Sequence, residues 1–203
     1  VSPLRPAVLA LLLAAAPPSE SHLVAGADAF RAEAYEKALV EFRVAEALGS
    51  ADASWYVAAS LLKLGRAEDA VEAFVLAERS NRGGAGDALL EVYRGQACYA
   101  AQLLVCADRW FGSAEARAGP RLAPQLKALR SALRDALRPE QIEPAIDRFL
   151  DRAAALQRTR PALALAFAEE AAALATRSPE RHRQDEATAL AGRLVAAAPK
   201  GGR

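Results

Sequence analysis

The residues able to do chemistry are few. The chain has two His, His22 and His182, and two Cys, Cys98 and Cys106. Nucleophilic catalysis needs a Ser or Cys beside a base that a third group orients. His182 stands between two arginines (RHR) and reads as a solvated side chain, and His22 falls at the edge of an apolar N-terminal run. Neither His supports a Ser-His-Asp or Cys-His set. The paired His or four-Cys spacing of a zinc site is absent. The stretch NRGGAGD (81–87) is Gly-rich. It lacks a following GK[ST] and comes after a helix rather than a strand, so it reads as a loop between elements. Glu169 and Glu170 are adjacent on a helical segment and read as part of a solvent-facing surface. No enzymatic activity, metal or cofactor is expected.

The elements that hold these residues follow from composition. Hydrophobic residues make up 53 % and aromatics 6 % of 203 residues, and Ala alone is about a quarter. Ala is the best helix former. The aromatic and β-branched residues that fill sheets are scarce. An all-β fold is excluded, and a doubly wound α/β fold is disfavoured. High apolar content with a net charge of only +1 also argues against disorder. The charge is unevenly divided. Residues 1–120 hold 11 Lys+Arg against 15 Asp+Glu, whereas residues 121–203 hold 15 against 10. In the basic half the arginines alternate with carboxylates, as at Asp147, Arg148 and Asp151, the pattern of an ion-paired helix face.

Residues 1–21 read as a signal peptide or an N-terminal apolar segment. Arg5 precedes an unbroken run, AVLALLLAAA (7–16), that Pro17 and Pro18 end. Ten helical residues reach about 15 Å, half a bilayer core. The run is too short to span and has the length of a signal-peptide core. Ala14-Ala15-Ala16 offers a small-residue cleavage pattern. The alternative is a first packed helix. Val1, read as a translated non-AUG start, and four Lys among many Arg suggest a bacterial gene of high GC content.

Internal repetition carries the fold. Gly26, Ala38, Phe42 and Ala45 recur as Ala58, Ala70, Phe74 and Ala77, and again as Gly95, Ala107, Phe111 and Ala114. Each set keeps steps of 12, 4 and 3 residues, and the sets lie 32 and 37 residues apart. A 12-residue step brings two residues together only if the chain turns between them, so each set predicts a helix hairpin. The small residue should meet the Ala of the second helix, with the Phe packed into the seam with the next unit. A small residue followed by A-x3-F-x2-A at this spacing resembles the tetratricopeptide repeat, whose period is about 34 residues. The family's first-helix Trp and Leu-Gly are poorly kept, and the third turn lacks Gly.

The resemblance implies an all-α, right-handed solenoid of helix hairpins, with repeats at about 22–50, 51–84 and 88–120. Residues 121–198 form a helical extension, and 199–203 a tail. In the extension a leucine stripe (Leu122, Leu126, Leu129, Leu133, Leu137) predicts one helix, and Pro139 and Pro161 open two more. Residues 145–178 keep the 4 and 3 steps without the Phe, and are expected to be a degenerate fourth repeat. The helix after Ser178 is expected to cap the array.

In that arrangement Cys98 and Cys106 fall on the two helices of the third hairpin. A disulfide between them suits an exported compartment, and a pair of small buried hydrophobes is the alternative. Tetratricopeptide arrays are binding scaffolds, and the resemblance implies a concave groove lined by first helices. Its residues here would be Leu23, Ala27, Phe30 and Arg31, then Trp55, Ala59, Leu62 and Lys63, then Val92, Gln96 and Tyr99. The expected function is a non-enzymatic scaffold. The chain is expected to be periplasmic or otherwise exported and to assist an envelope complex through a protein or peptide partner. No transmembrane span is expected after signal removal, and no nucleic acid. A cytoplasmic adaptor or co-chaperone is the first alternative, and an acidic-surface or nucleic-acid binder using the basic half the second.

Overall fold

A computed structural model describes residues 17–80, 87–178 and 181–197; the apolar run at 7–16 and most of the NRGGAGD loop lie outside it. Regular structure among the described residues is entirely helical: α1 (Pro18–Arg31), α2 (Tyr35–Ala47), α3 (Ala53–Lys63), α4 (Ala67–Ser80), α5 (Ala88–Ala100), α6 (Leu104–Arg117), α7 (Ala123–Ala136), α8 (Pro139–Leu156), α9 (Pro161–Ala175) and α10 (Arg181–Ala197). No helix among them is long and apolar enough to cross a membrane.

The first six helices pair as α1/α2, α3/α4 and α5/α6. The three pairs share one turn. Glu33, Gly65 and Gln102 each follow a first helix in the left-handed region, at φ of 60°, 75° and 64°. The next amide reaches five residues back in each turn: Ala34 to the Ala29 carbonyl (2.9 Å), Arg66 to Leu61 (3.0 Å) and Leu103 to Cys98 (2.8 Å). That bond closes the last helical carbonyls and reverses the chain within three residues. The turn residues lie 32 and 37 apart, the spacing of the packing positions. Only the second turn has the Gly that a left-handed residue favours. The other two adopt the conformation with Glu and Gln.

Ala38, Phe42, Ala45, Ala70, Phe74, Ala77, Ala107, Phe111 and Ala114 are all buried. At two of the small positions the nearest neighbour is the Phe ring of the second helix. A Cβ on Gly26 would lie 2.6 Å from the Phe42 ring, and one on Gly95 would lie 2.5 Å from Phe111. Gly is there to admit the Phe ring, not only the Ala one turn earlier. Phe42 also stacks on Tyr56 of α3 at 5.1 Å, which joins the first hairpin to the second.

The C-terminal region departs from a continued stack. α7 packs on α6, where the first helix of a further unit would lie. Arg130 of α7 bridges Asp108 (2.9 Å) and Glu115 (2.8 Å) of α6. The chain then folds back. α8 and α9 form a hairpin with α10 against them, and α9 lies over α4 and α6. The expected fourth unit is thus a hairpin, but it packs across the second helices of units two and three. Ion pairs fix the contact: Arg152 with Glu68 (2.9 Å), and Arg160 with Asp69 (2.7 Å) and Glu72 (2.7 Å). Part of the basic half therefore meets its acidic partner inside the same chain.

Candidate interaction surface

The expected groove residues differ in burial, and Ala59 is fully buried. Phe30, half-buried at the end of α1, meets Tyr35 at 5.3 Å and Tyr93 of α5 at 5.8 Å, both edge-on. Lys63, exposed at the end of α3, sits 5.1 Å from the centre of the Tyr93 ring. These two belong to one cluster that draws on all three hairpins. Leu62 is half-buried against the core. Arg31, Gln96 and Tyr99 are exposed on the surface, Tyr99 at 52 %. Arg31 is held by Asp28 at 2.5 Å.

Trp55 and Val92 are corrections. Trp55 is 2 % exposed and packs on Phe74 of its own hairpin at 6.0 Å; Val92 is also buried. The reason is angular. Both stand three residues before the small position (Ala58, Gly95), and residues three apart share a helix face. They therefore turn toward the second helix with the small residue. The equivalent positions one residue later, Tyr56 and Tyr93, are half-buried and belong to the surface. Sequence reasoning missed Tyr35, Tyr56 and Tyr93. The signal for the last two was the repeat itself, which places an aromatic two residues before Ala58 and Gly95.

Burial raises the Tyr56 hydroxyl above its ordinary pKa, and the Asp87 and Asp52 carboxylates add to the shift. Burial raises Tyr93 in the same way, with Tyr35 and Asp87 adding. Both phenols stay neutral hydrogen-bond donors over the physiological range. Asp87 also caps α5 through the Leu89 amide at 2.8 Å. Lys63 has no carboxylate at salt-bridge distance among the described residues. The surface thus offers aromatic faces, the phenolic hydroxyls of Tyr35, Tyr56 and Tyr93, the Lys63 ammonium and, at its edge, carboxylates.

On the other side of the third hairpin, Cys98 and Cys106 are joined as a disulfide, with Cα atoms 5.8 Å apart. It borders a cavity of about 90 Å3 with Phe74, Arg94, Arg109, Glu169 and Glu170 on its wall. Arg94 lies 3.7 Å from the Trp110 ring centre and holds Glu78 at 2.6 Å. Burial lowers the Arg94 pKa, and Glu78 opposes that shift. Glu170 corrects the reading of its pair as solvent-facing: it is 2 % exposed, and its two oxygens accept the amides of Val105 (2.7 Å) and Cys106 (2.8 Å) in the first turn of α6. His22, expected at a processing boundary, bonds through Nδ1 to Glu41 of α2 at 2.7 Å. His182 is exposed on α10. Among the described residues, no group of three or more His, Cys, Asp or Glu is placed to hold a metal.

Comparison with known proteins adds no relative: no family model, no curated protein and no solved structure matches this chain.

Proposed function

We propose that this protein is a tetratricopeptide-like, non-enzymatic interaction module that receives a peptide segment of a partner on the face formed by its first helices. The observation that carries the reading is the aromatic cluster of Phe30, Tyr35 and Tyr93, with Lys63 over Tyr93 and Tyr56 at the equivalent repeat position. Large aromatic groups left half-exposed on a surface concentrate binding energy. Lys63 supplies a charge for an acidic group on the peptide. The shared turns and the Gly-under-Phe packing support the repeat reading, and the fold-back of α8–α10 makes the array a short one.

The same reading places the protein in an exported, oxidising compartment such as the periplasm. The paired Cys98 and Cys106 favour this, because disulfides persist where thiols are not kept reduced. The apolar run at 7–16 points the same way. The acidic-surface or nucleic-acid reading has less support, because Arg130, Arg152 and Arg160 are engaged with carboxylates of α4 and α6.

The test is selection of peptides from a random display library on the wild-type protein. Their affinity is then measured for the Tyr56→Ala/Tyr93→Ala variant. Loss of about 2 kcal/mol or more is expected if these rings are anchors. Peptides that bind the variant as tightly as wild type would refute the assignment of the surface.

A further inference from the structure

The second helices of the first two hairpins leave a groove between them. Its floor is Val57 and Leu61 of α3, both buried, and its walls carry Arg43 of α2 and Asp69 and Glu72 of α4. The next groove along the array lies between α4 and α6. Arg94, Cys98, Cys106 and Arg109 stand there, each 37 residues on from Val57, Leu61, Asp69 and Glu72 in turn, and Val75 stands 32 residues on from Arg43. All five border the cavity beside the disulfide. The two grooves are therefore one feature repeated, at the spacings of the hairpins themselves.

They differ in what covers them. α9 lies across α4 and α6 and brings Ala166, Glu170 and Ala173 to the second groove, leaving about 90 Å3. These residues stand at i, i+4 and i+7, one face of a helix, with Ala at both ends of the contact. The first groove holds about 340 Å3, and its lining comes from residues 43–80 alone. On its wall Leu76 is 49 % exposed, whereas the counterpart on α6 is Ser113, which bonds to Glu91. An exposed leucine on a concave wall gains by being covered.

The charges of the open groove are matched on one side only. Asp69 and Glu72 of α4 are held by Arg66 and Arg160. Arg43 and Glu46 of α2 have no opposite charge at salt-bridge distance among the described residues. In the covered groove Val75 takes the place of Arg43, and Glu78, the counterpart of Glu46, holds Arg94 at 2.6 Å. Val57 stands where that arginine would be, so Glu46 lacks the partner that Glu78 has.

We propose that the groove between α2 and α4 docks a helix of another protein, with small residues at i and i+7 against its floor, a carboxylate for Arg43 and a basic side chain for Glu46. A second copy of this chain cannot supply α9, which is spent on its own groove. The apolar run at 7–16 carries no charge and would leave Arg43 and Glu46 unpaired. The site belongs to the second helices and is separate from the first-helix face.

The probe is a library of Ala-based helical peptides of about 16 residues, long enough for an Ala-rich sequence to be helical. Positions flanking the Ala face are varied among Glu, Gln and Lys, and binders are selected on the full chain. Ala73 is half-buried on the groove wall. Ala73→Arg should weaken the selected peptides by at least about thirtyfold. Arg43→Glu, at an exposed site, should weaken them by about tenfold and shift a fresh selection from Glu to Lys at one peptide position. Failure to select any peptide, or peptides indifferent to both variants, would overturn the proposal. So would binding that appears only when residues 1–16 are removed, which assigns the groove to the chain's own N-terminal run. A wild-type dimer seen by sedimentation and abolished by Ala73→Arg would equally overturn it, in favour of a second copy. If Ala73→Arg does not fold, the Arg43→Glu affinity and the shifted selection decide.

Discussion

Trp55 and Tyr56 are neighbours with opposite tasks. Trp55 lies against Phe74 inside the second hairpin, whereas Tyr56 stacks on Phe42 and keeps part of its ring at the surface. Truncating Trp55 to Ala therefore empties core volume and should cost about 3–5 kcal/mol of stability. Tyr93→Ala removes a half-exposed ring and should cost clearly less. Urea denaturation of the two variants distinguishes them. Equal losses would mean that Tyr93 is a core residue. The positions that make each hairpin were legible in the sequence, because three copies of one spacing average out local accident. Which of two adjacent residues faces outward was not read correctly, since aromatics stand at both positions and one step along a helix turns the side chain by about 100°. Glu170 was illegible for another reason. Its partners are backbone amides of another helix, and no side-chain pattern marks them.

Among the elements, the turns are the most informative. Glu33, Gly65 and Gln102 occupy the same left-handed position, and only one of them is Gly. A non-Gly residue there bears a cost of about 1–2 kcal/mol, against which Gly's greater freedom in the unfolded chain must be set. Gln102→Gly should accordingly stabilise by roughly 0.5–1 kcal/mol, read as a rise in the urea midpoint at unchanged slope. A destabilised variant would show that the Gln102 side chain makes a compensating contact. The helix boundaries themselves followed from caps and prolines: α8 and α9 open on Pro139 and Pro161 as expected. What the pattern of elements could not give was their order in space. The Ala steps of α9 suit a repeat helix equally well at the end of the stack or laid back across α4 and α6.

For the whole molecule, the uneven charge of the two halves finds much of its use in that fold-back. Arg160 reaches both Asp69 and Glu72, and Asp69 also takes Arg66. Burial raises the Asp69 pKa, but the hydrogen bonds and charges of Arg66 and Arg160 outweigh it and hold the value below 3.8. Its contribution is thus complete above about 3.8 and is lost as pH falls through the lower folded value. Arg160→Gln should reduce stability at neutral pH by about 1–2 kcal/mol and flatten the acid limb of the stability curve. Thermal melts from pH 2 to 7 check both; an unchanged acid limb would remove Arg160 from the contact.

The proposed function requires that a partner peptide bind the first-helix face. Site-specific photo-crosslinking examines that face without depending on the stability of a truncated variant. A benzophenone amino acid is placed in turn at Tyr56, Lys63 and Tyr93, and at the exposed controls Leu129 of α7 and Val195 of α10. Each protein is irradiated with a peptide selected on the wild type, and adducts are located by mass spectrometry. Adducts from the first three positions and none from the controls are the predicted result. Adducts confined to Leu129 or Val195 would contradict binding at the first-helix face and move the binding surface to the C-terminal helices.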